Sequence, residues 1–184
     1  MSRRDRGQTT LDFTIGVTIF VVVLAGVFLF VPGTLQPFEE GGQENIVTVN
    51  RVADQLSEDL LAQPTDPYIL QEDCTVTFFQ NPVSSPSECE YTGGSLQERA
   101  GYGDFQFVNV SIRGSVDGSD DVEQLCYDSA NAAGSRLESG SDCGEPADTR
   151  LTAGSNLAGV ESSVTARRVV ELDTQTVFLV VRLW

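Results

Sequence analysis

Residues 12–31 read DFTIGVTIFVVVLAGVFLFV and form the longest apolar stretch of the chain. From Phe13 to Val31 the 19 residues carry no charge, and 14 of them are Val, Ile, Leu or Phe. A helix of this length measures about 28 Å, close to the roughly 30 Å hydrocarbon core of a bilayer. The stretch therefore predicts an N-terminal transmembrane helix, and the other features of the chain are arranged around it.

Asp12 lies at the N-terminal end of this stretch and does not prevent membrane insertion. The apolar residues favour insertion by roughly 4 to 8 kcal/mol, whereas a central Asp costs about 2.5 to 3.5 kcal/mol and one near the interface costs less. Arg3, Arg4 and Arg6 precede the stretch, and positive residues stay on the cytoplasmic side. We therefore expect a single-pass protein of the cell membrane, with its N-terminus in the cytoplasm and the rest of the chain outside.

Basic residues, a small residue, an acid and the apolar run follow one another in this order at the N-terminus. Residues 6–13 read RGQTTLDF and lead directly into the apolar run. This arrangement resembles the class III signal of archaeal type IV pilin-like proteins. The resemblance implies a leader, residues 1–7, that a prepilin peptidase removes by cleavage between Gly7 and Gln8. It also implies that Asp12, at a place where many pilins carry a glutamate, pairs with the new N-terminal amine of a neighbouring subunit.

Two other interpretations of the N-terminus remain open. One is an uncleaved membrane anchor, which requires only the apolar run. The other is conventional export, but a secretory signal is cleaved after roughly 7–15 apolar residues, whereas residues 32–35 here follow a longer run and contain no A-x-A pattern. The pair Arg3-Arg4 is followed by residues 5–7, which lack the apolar pair that usually completes a twin-arginine signal.

The composition is strongly acidic. The formal net charge is −16, from 11 basic and 27 acidic residues, and all the basic residues are arginine. Such a surface repels phosphates, so nucleic acid is excluded as a partner. An acidic excess without lysine is similar to the composition of proteins from halophilic archaea, and high salt would screen the self-repulsion. A solvated acidic surface without a specific partner accounts for the charge equally well.

Four cysteines lie beyond the apolar run, on the side that is expected to be extracellular, where disulfides persist. Four cysteines allow three pairings. A sequential pairing would close two short loops and contribute about 3 kcal/mol for each loop. Free thiols remain an alternative, while a metal site is disfavoured because there is no C-x-x-C spacing and no histidine. The disulfide candidates are Cys74, Cys89, Cys126 and Cys143.

Proline and glycine divide the chain beyond the apolar run. Pro32-Gly33 is expected to end or kink the first helix. Residues 43–63 carry apolar side chains at helical spacing, and Gln63-Pro64 then predicts a stop. The whole chain is therefore expected to comprise four segments. They are a leader at 1–7, a transmembrane or filament-core helix at 8–33, a linker and amphipathic helix at 34–64, and a β-rich extracellular head at 65–184.

The head is expected to be mainly antiparallel β-structure, so the fold class is α+β. Residues 74–79 and 105–113 are rich in β-branched and aromatic residues, as strands are. The runs 163–172 and 176–184 lie close enough in sequence for a hairpin. Small and polar residues dominate 114–157, which predicts a long irregular excursion.

Two finer expectations concern the head. The last run is too apolar for an exposed edge strand, so we expect it inside the sheet or against the helix at 43–62, with Trp184 packed in the core. Within the excursion, a short helix is considered for residues 122–133.

No catalytic site is predicted. The chain has no histidine, which removes Ser-His-Asp and Cys-His arrangements, and it has no P-loop or dinucleotide fingerprint. We expect no metal and no other cofactor. Asn109-Val110-Ser111 matches the glycosylation acceptor pattern, so Asn109 is a candidate if it faces outward.

These features predict a pilin-like subunit, in a minor rather than a major role, that is inserted, processed and assembled into a surface filament. Its expected partners are membrane lipid, prepilin peptidase and other pilin-like subunits. The alternative is an uncleaved single-pass surface protein whose extracellular head binds a ligand or acts as a sensor.

Overall fold

A computed structural model of the chain describes residues 5–35, 41–80, 86–103, 107–116, 118, 121–131, 135–140, 142–156, 158–159 and 162–184. Side chains are described for residues 11–29 and from Asn45 onward. Residues 1–4 of the predicted leader and 36–40 of the predicted linker lie outside the described part. The chain divides into two compact units, Met1–Gly42 and Gln43–Trp184, called here the first and second unit.

The described part of the first unit is dominated by one long helix, α1, which spans Asp5–Leu35. A helix satisfies its backbone N–H and C=O groups internally, as an apolar stretch in a membrane requires. Pro32-Gly33 is predicted to end or kink the helix, and the predicted end is wrong. A proline removes one N–H donor from the helical ladder, but the hydrogen bonds of neighbouring turns can remain, so the helical path continues to Leu35.

The second unit begins within helix α2, which spans Gly41–Gln55 and continues as a single π-helical turn over Leu56–Leu60. These two pieces account for residues 43–60 of the helix predicted over 43–63, whereas Ala62–Gln63 form a strand instead. Val49, Val52 and Leu56 are buried on one side, whereas Val47 remains exposed. The buried positions are separated by three or four residues, which is the spacing of one helix face.

A mixed, mostly antiparallel sheet forms the body of the second unit. Its order is β1-β2-β8-β9-β3-β4-β5, with β6 pairing with β4 and β7 with β3. The only parallel pair among the described strands joins β2 to β8. The strands are β1 Ala62–Gln63, β2 Asp66–Leu70, β3 Val108–Gly114, β4 Glu123–Asp128, β5 Leu137–Ser139, β6 Asp148–Arg150, β7 Thr152–Gly154, β8 Val164–Leu172 and β9 Gln175–Leu183.

The C-terminal hairpin is the centre of this sheet, as the sequence predicted. β9 pairs with β8 on one side and with β3 on the other. Val110 lies opposite Val181, and Ile112 lies opposite Leu179, all four fully buried. These side chains share one buried cluster with those of α2, so the apolar face of the helix covers the apolar face of the sheet.

Two short helices complete the second unit. Helix α3 spans Glu72–Phe79, and helix α4 spans Leu96–Ala100. The predicted strand at 74–79 is therefore wrong. Cys74 and Phe78 are buried four residues apart, which is helical spacing, and two acids in the first turn favour a helix N-terminus.

The region 114–157 is more regular than predicted. It contains β4 to β7, and the short helix considered for 122–133 is replaced at Glu123–Asp128 by β4. These strands are only three to six residues long, and pairing with β3 or with each other, rather than a strong local pattern, specifies them.

The strand predicted over 105–113 begins at Val108, and residues 104–106 lie outside the described part. The core position predicted for Trp184 is wrong. Successive side chains of a strand point to opposite faces, so the residue after buried Leu183 faces away from the core. The half-buried Trp184 ring stacks instead on exposed Phe107, with 6.5 Å between the ring centroids.

Candidate functional site

The most conspicuous surface of the first unit is the apolar stretch Leu11–Leu29 of α1. All 19 of its residues are exposed, and the exposed fraction of its large apolar side chains ranges from 40% at Leu24 to 83% at Leu29. The apolar residues lie on all sides of the helix rather than along one stripe, which is typical of a membrane span. By length and composition this helix can cross a membrane.

The residues predicted for processing lie at the N-terminal end of the same helix. Gly7 and Gln8 belong to the helical backbone of α1, and their side chains are outside the described set. Asp12 is exposed, one residue after the apolar stretch begins. Within the stretch, the Thr18 hydroxyl donates to the Thr14 carbonyl at 2.7 Å, so this polar group is satisfied inside the helix.

The four cysteines form two disulfides in the second unit. Cys74 of α3 is bonded to Cys89, and Cys126 of β4 is bonded to Cys143. This is the sequential pairing among the three that the sequence allowed. The first bond fixes the loop after α3, and the second holds the connection between β5 and β6 against β4.

An acidic cluster surrounds the second disulfide. The Cys126 sulfur and carboxylate oxygens of Glu138 and Asp148 lie within 4.8 Å of one another. Because that sulfur is part of a disulfide, it offers no thiolate to a metal. Burial raises the pKa of the Glu138 carboxyl, and the nearby charge of Asp148 raises it further. The carboxylates of Glu138 and Asp148 therefore repel each other, and they are the only two groups of this cluster that could bind a metal ion.

A cavity of about 670 Å³ lies on the second unit, where β3, β7 and β9 meet helix α4. Three arginines line it: Arg99 from α4, Arg113 from β3 and Arg182 from β9. None of the described residues that line the cavity is acidic. Its uncharged polar side chains are Ser95, Asn109, Ser111, Gln124, Thr152, Ser155 and Asn156.

The strand register explains why these residues converge. Asn109, Ser111 and Arg113 alternate along β3, so they share the face opposite to the apolar one. Arg182 of β9 lies directly opposite Asn109, and Thr152 of β7 lies opposite Ser111.

Gly154 permits the close approach of β7 to α4. It adopts a φ of +101°, and a Cβ atom there would lie 2.7 Å from the Leu96 side chain and 2.1 Å from the Val108 carbonyl oxygen. Only glycine fits this position without displacement of its neighbours.

The three guanidinium groups differ in their surroundings. Arg99 is only 2% exposed; its Nη1 donates to the Gly94 carbonyl, its guanidinium lies 5.1 Å from the centre of the Phe78 ring, and burial lowers its pKa. The Arg113 Nη2 donates to the Val122 carbonyl at 3.3 Å. Neither Arg113 nor Arg182 forms an ion pair with a described carboxylate.

Asn109 is part of the wall of this cavity. It is half-buried, and its Nδ2 donates to the Ser155 carbonyl at 3.2 Å. The same nitrogen donates to the Thr152 hydroxyl at 3.5 Å. A glycan would replace one of its two hydrogens and so would remove one of these bonds, and glycosylation of Asn109 stays a prediction that this geometry does not favour.

Sequence reasoning missed the cavity altogether. Its arginines are up to 83 positions apart and belong to three different elements, and no motif connects them. The one signal available was that Arg113 and Arg182 each follow an apolar residue in a strand whose apolar face is buried.

The chain belongs to a family of unknown function (DUF7287), whose sequence profile matches residues 4–184. No curated protein and no solved structure gives a significant match. The match runs from Arg4 to Trp184 and so includes residues of both units.

Proposed function

We propose that this protein is a type IV pilin-like subunit, in a minor role, that is assembled into a filament on the cell surface. In this proposal the chain inserts with its N-terminus in the cytoplasm, and prepilin peptidase cleaves it between Gly7 and Gln8. The helix at 11–31 then leaves the membrane and packs against copies of itself or of related subunits. The second unit is the extracellular head.

The single observation that carries the proposal is that every residue of the apolar stretch Leu11–Leu29 is exposed. Leaving such a surface in water would cost roughly 25 cal/mol for each Å² of apolar area. The stretch therefore requires lipid or other apolar helices around it on every side. In a pilin-like subunit this helix is surrounded first by lipid, before assembly, and then by the apolar helices of other subunits in the filament.

The N-terminal residues support the processing step. Three arginines, Gly7 and Asp12 precede the apolar run in the order of a class III signal. Inside a helical bundle an unpaired carboxylate is costly, so Asp12 requires a partner of opposite charge. The amine that cleavage creates at Gln8 of a neighbouring subunit supplies such a charge. The acidic, lysine-free composition suits a surface protein in high salt.

The test compares two glycine variants in a host that contains prepilin peptidase. Gly7→Val places a branched side chain at the proposed cleavage site, and Gly16→Val makes the same change inside the apolar run. A Cβ atom at Gly16 has no neighbouring atom within 4 Å, so the control leaves the isolated helix undisturbed. Mass spectrometry of the membrane fraction and of sheared filaments gives the N-terminus of each product.

We expect the wild-type chain and the Gly16→Val variant to begin at Gln8 and the Gly7→Val variant to retain residues 1–7. We also expect the wild-type chain in the filament fraction. A wild-type chain that keeps residues 1–7 and stays in the membrane would contradict the proposal and favour the uncleaved surface protein.

A further inference from the structure

We propose that the arginine-lined cavity of the second unit binds an acidic sugar, meaning a polyhydroxylated ligand that carries a carboxylate or a sulfate. This inference does not depend on processing or filament assembly, because all the residues concerned lie in the second unit.

The charge distribution is the first argument. The chain has a net charge of −16, yet three of its 11 basic residues converge on one cavity whose described lining contains no acid. Guanidinium groups in one concave site repel each other and attract anions, and low-dielectric walls strengthen both effects. The site is thus a local positive centre on a chain that otherwise repels anions.

The chemistry of the lining narrows the class of anion. The planar fork of arginine matches the paired oxygens of a carboxylate or sulfate. Arg182 and Arg113 lie on adjacent strands, on the same face as Asn109 and Ser111. Hydroxyl and amide groups both donate and accept hydrogen bonds, as the hydroxyl groups of a sugar do. A small inorganic anion would leave most of these groups unused.

The size and rigidity of the site fit a small ligand. A volume of about 670 Å³ falls within the usual range of ligand pockets. The walls are strands β3 and β9 at the centre of the sheet, and Arg99 is held in place by the Gly94 carbonyl and the Phe78 ring. Because these groups are already held in place, little conformational entropy is lost when a ligand binds to them.

The test is isothermal titration calorimetry on the full chain in neutral detergent micelles. The probes are glucuronate and glucose 6-sulfate, and the comparison ligands are glucose, inorganic sulfate and an Asp-Glu peptide. We expect each acidic sugar to bind at least about tenfold more tightly than any comparison ligand, because only these probes use both the arginines and the neutral polar groups. No binding, or equal or tighter binding of a comparison ligand, would overturn the proposal.

Two variants and one matched control locate the binding site. Arg182→Gln and Arg113→Gln each remove one guanidinium from the cavity, and each is expected to weaken binding about tenfold. Arg167→Gln makes the same change on neighbouring strand β8, at an exposed residue that does not line the cavity, and should leave affinity unchanged. Circular dichroism verifies that each variant is folded, and Arg182→Gln decides the result if Arg113→Gln unfolds. Equal weakening by the control would show attraction by net charge alone and overturn the assignment.

Discussion

Arg168 of β8 binds Asp54 of α2, with 2.5 Å between the arginine Nε and the aspartate Oδ1. The same guanidinium donates through Nη2 to the Asn50 side-chain oxygen at 3.0 Å. Arg168 therefore binds two side chains of α2, Asn50 and Asp54, that lie about one helical turn apart. Because the residues are 114 positions apart in sequence, the contact fixes how α2 lies across the sheet.

Replacement of Arg168 is predicted to lower stability modestly. Its side chain is 22% exposed and that of Asp54 is 45% exposed, so solvent screens much of the attraction. We expect Arg168→Gln to reduce the free energy of unfolding by about 1 kcal/mol, as measured by urea denaturation of the full chain in micelles. Arg51→Gln, at an exposed position of α2, removes the same charge and is expected to change stability by less than about 0.5 kcal/mol. Equal effects of the two substitutions would show that the bonds from Arg168 to Asp54 and Asn50 make no specific contribution to stability.

A glycine in the C-terminal hairpin turn is predicted to stabilise the protein. Asp173 and Thr174 connect β8 to β9 with φ angles of +49° and +61°, the pattern of a type I′ turn. The left-handed region costs a branched residue about 1–2 kcal/mol, and the extra chain entropy of glycine offsets about 1 kcal/mol of that. We therefore expect Thr174→Gly to raise the free energy of unfolding by about 0.5 kcal/mol.

The control for this turn is Thr176→Gly, two residues later in extended strand β9 and equally exposed. It should lower stability, since glycine weakens a strand interior. Asp173 is left unchanged because its carboxylate accepts the Arg136 backbone N–H at 2.6 Å. A destabilising Thr174→Gly would mean that the turn holds Thr174 by contacts that outweigh its backbone strain.

Loss of the Cys126–Cys143 bond is predicted to have a large effect. The two cysteines are 17 positions apart, and closing such a loop contributes about 3 kcal/mol. The double substitution Cys126→Ala with Cys143→Ala should lower the free energy of unfolding by roughly that amount in chemical denaturation. Alkylation of the unreduced, denatured wild-type chain should modify no cysteine; modification would contradict the disulfide pattern.

The sequence predicted those parts of the fold that strong local patterns determine. The apolar run before Val31, the helical spacing around Val49 and the hairpin ending at Leu183 each carry a long periodic signal. The segment 74–79 was mistaken for a strand because its residue types favour β-structure, although its buried positions have helical spacing and tertiary packing decides between the two.

The shorter strands and the cavity could not be read from the sequence, for one physical reason. β5, β6 and β7 have three residues each, too few to show a period, and they form because β3 and β4 offer them backbone partners. The cavity arginines come together only through the register of β3 against β9. Both the pairing of the short strands and the convergence of the arginines arise only when the sheet is assembled.

The acidic cluster near Cys126 makes stability depend on pH. Burial, with neighbouring carboxylates, raises the pKa of Glu138 in the folded chain above its value in the unfolded chain. Ionisation of Glu138 therefore opposes folding: stability falls as the pH rises through the usual glutamate range toward the raised pKa, and the loss is complete above it. We expect Glu138→Gln to stabilise the protein at pH 7 and to lose this advantage as the pH falls below about 4.

The measurement is the urea midpoint of wild type and Glu138→Gln between pH 3.5 and 7, at low and high salt. High salt should shrink the difference at pH 7, because it screens the repulsion from Asp148. Glu123→Gln, at an exposed residue of β4, removes the same charge and serves as the matched control. A difference between wild type and Glu138→Gln that stayed constant across the pH range would rule out the electrostatic explanation.

Asp12 is predicted to act in assembly rather than in insertion. It lies at the end of the apolar stretch, where the apolar residues outweigh its cost to insertion, so Asp12→Ala should still enter the membrane and be cleaved before Gln8. In the proposed filament the variant lacks the charge that pairs with a neighbouring amine, which leaves that amine unpaired in an apolar bundle. We expect its amount in sheared filaments to fall at least about tenfold, since breaking a buried pair typically costs several kcal/mol. Asp12→Glu keeps the charge and should restore most of the incorporation. Quantitative mass spectrometry of filament and membrane fractions measures both, and normal incorporation of Asp12→Ala would remove Asp12 from the assembly mechanism.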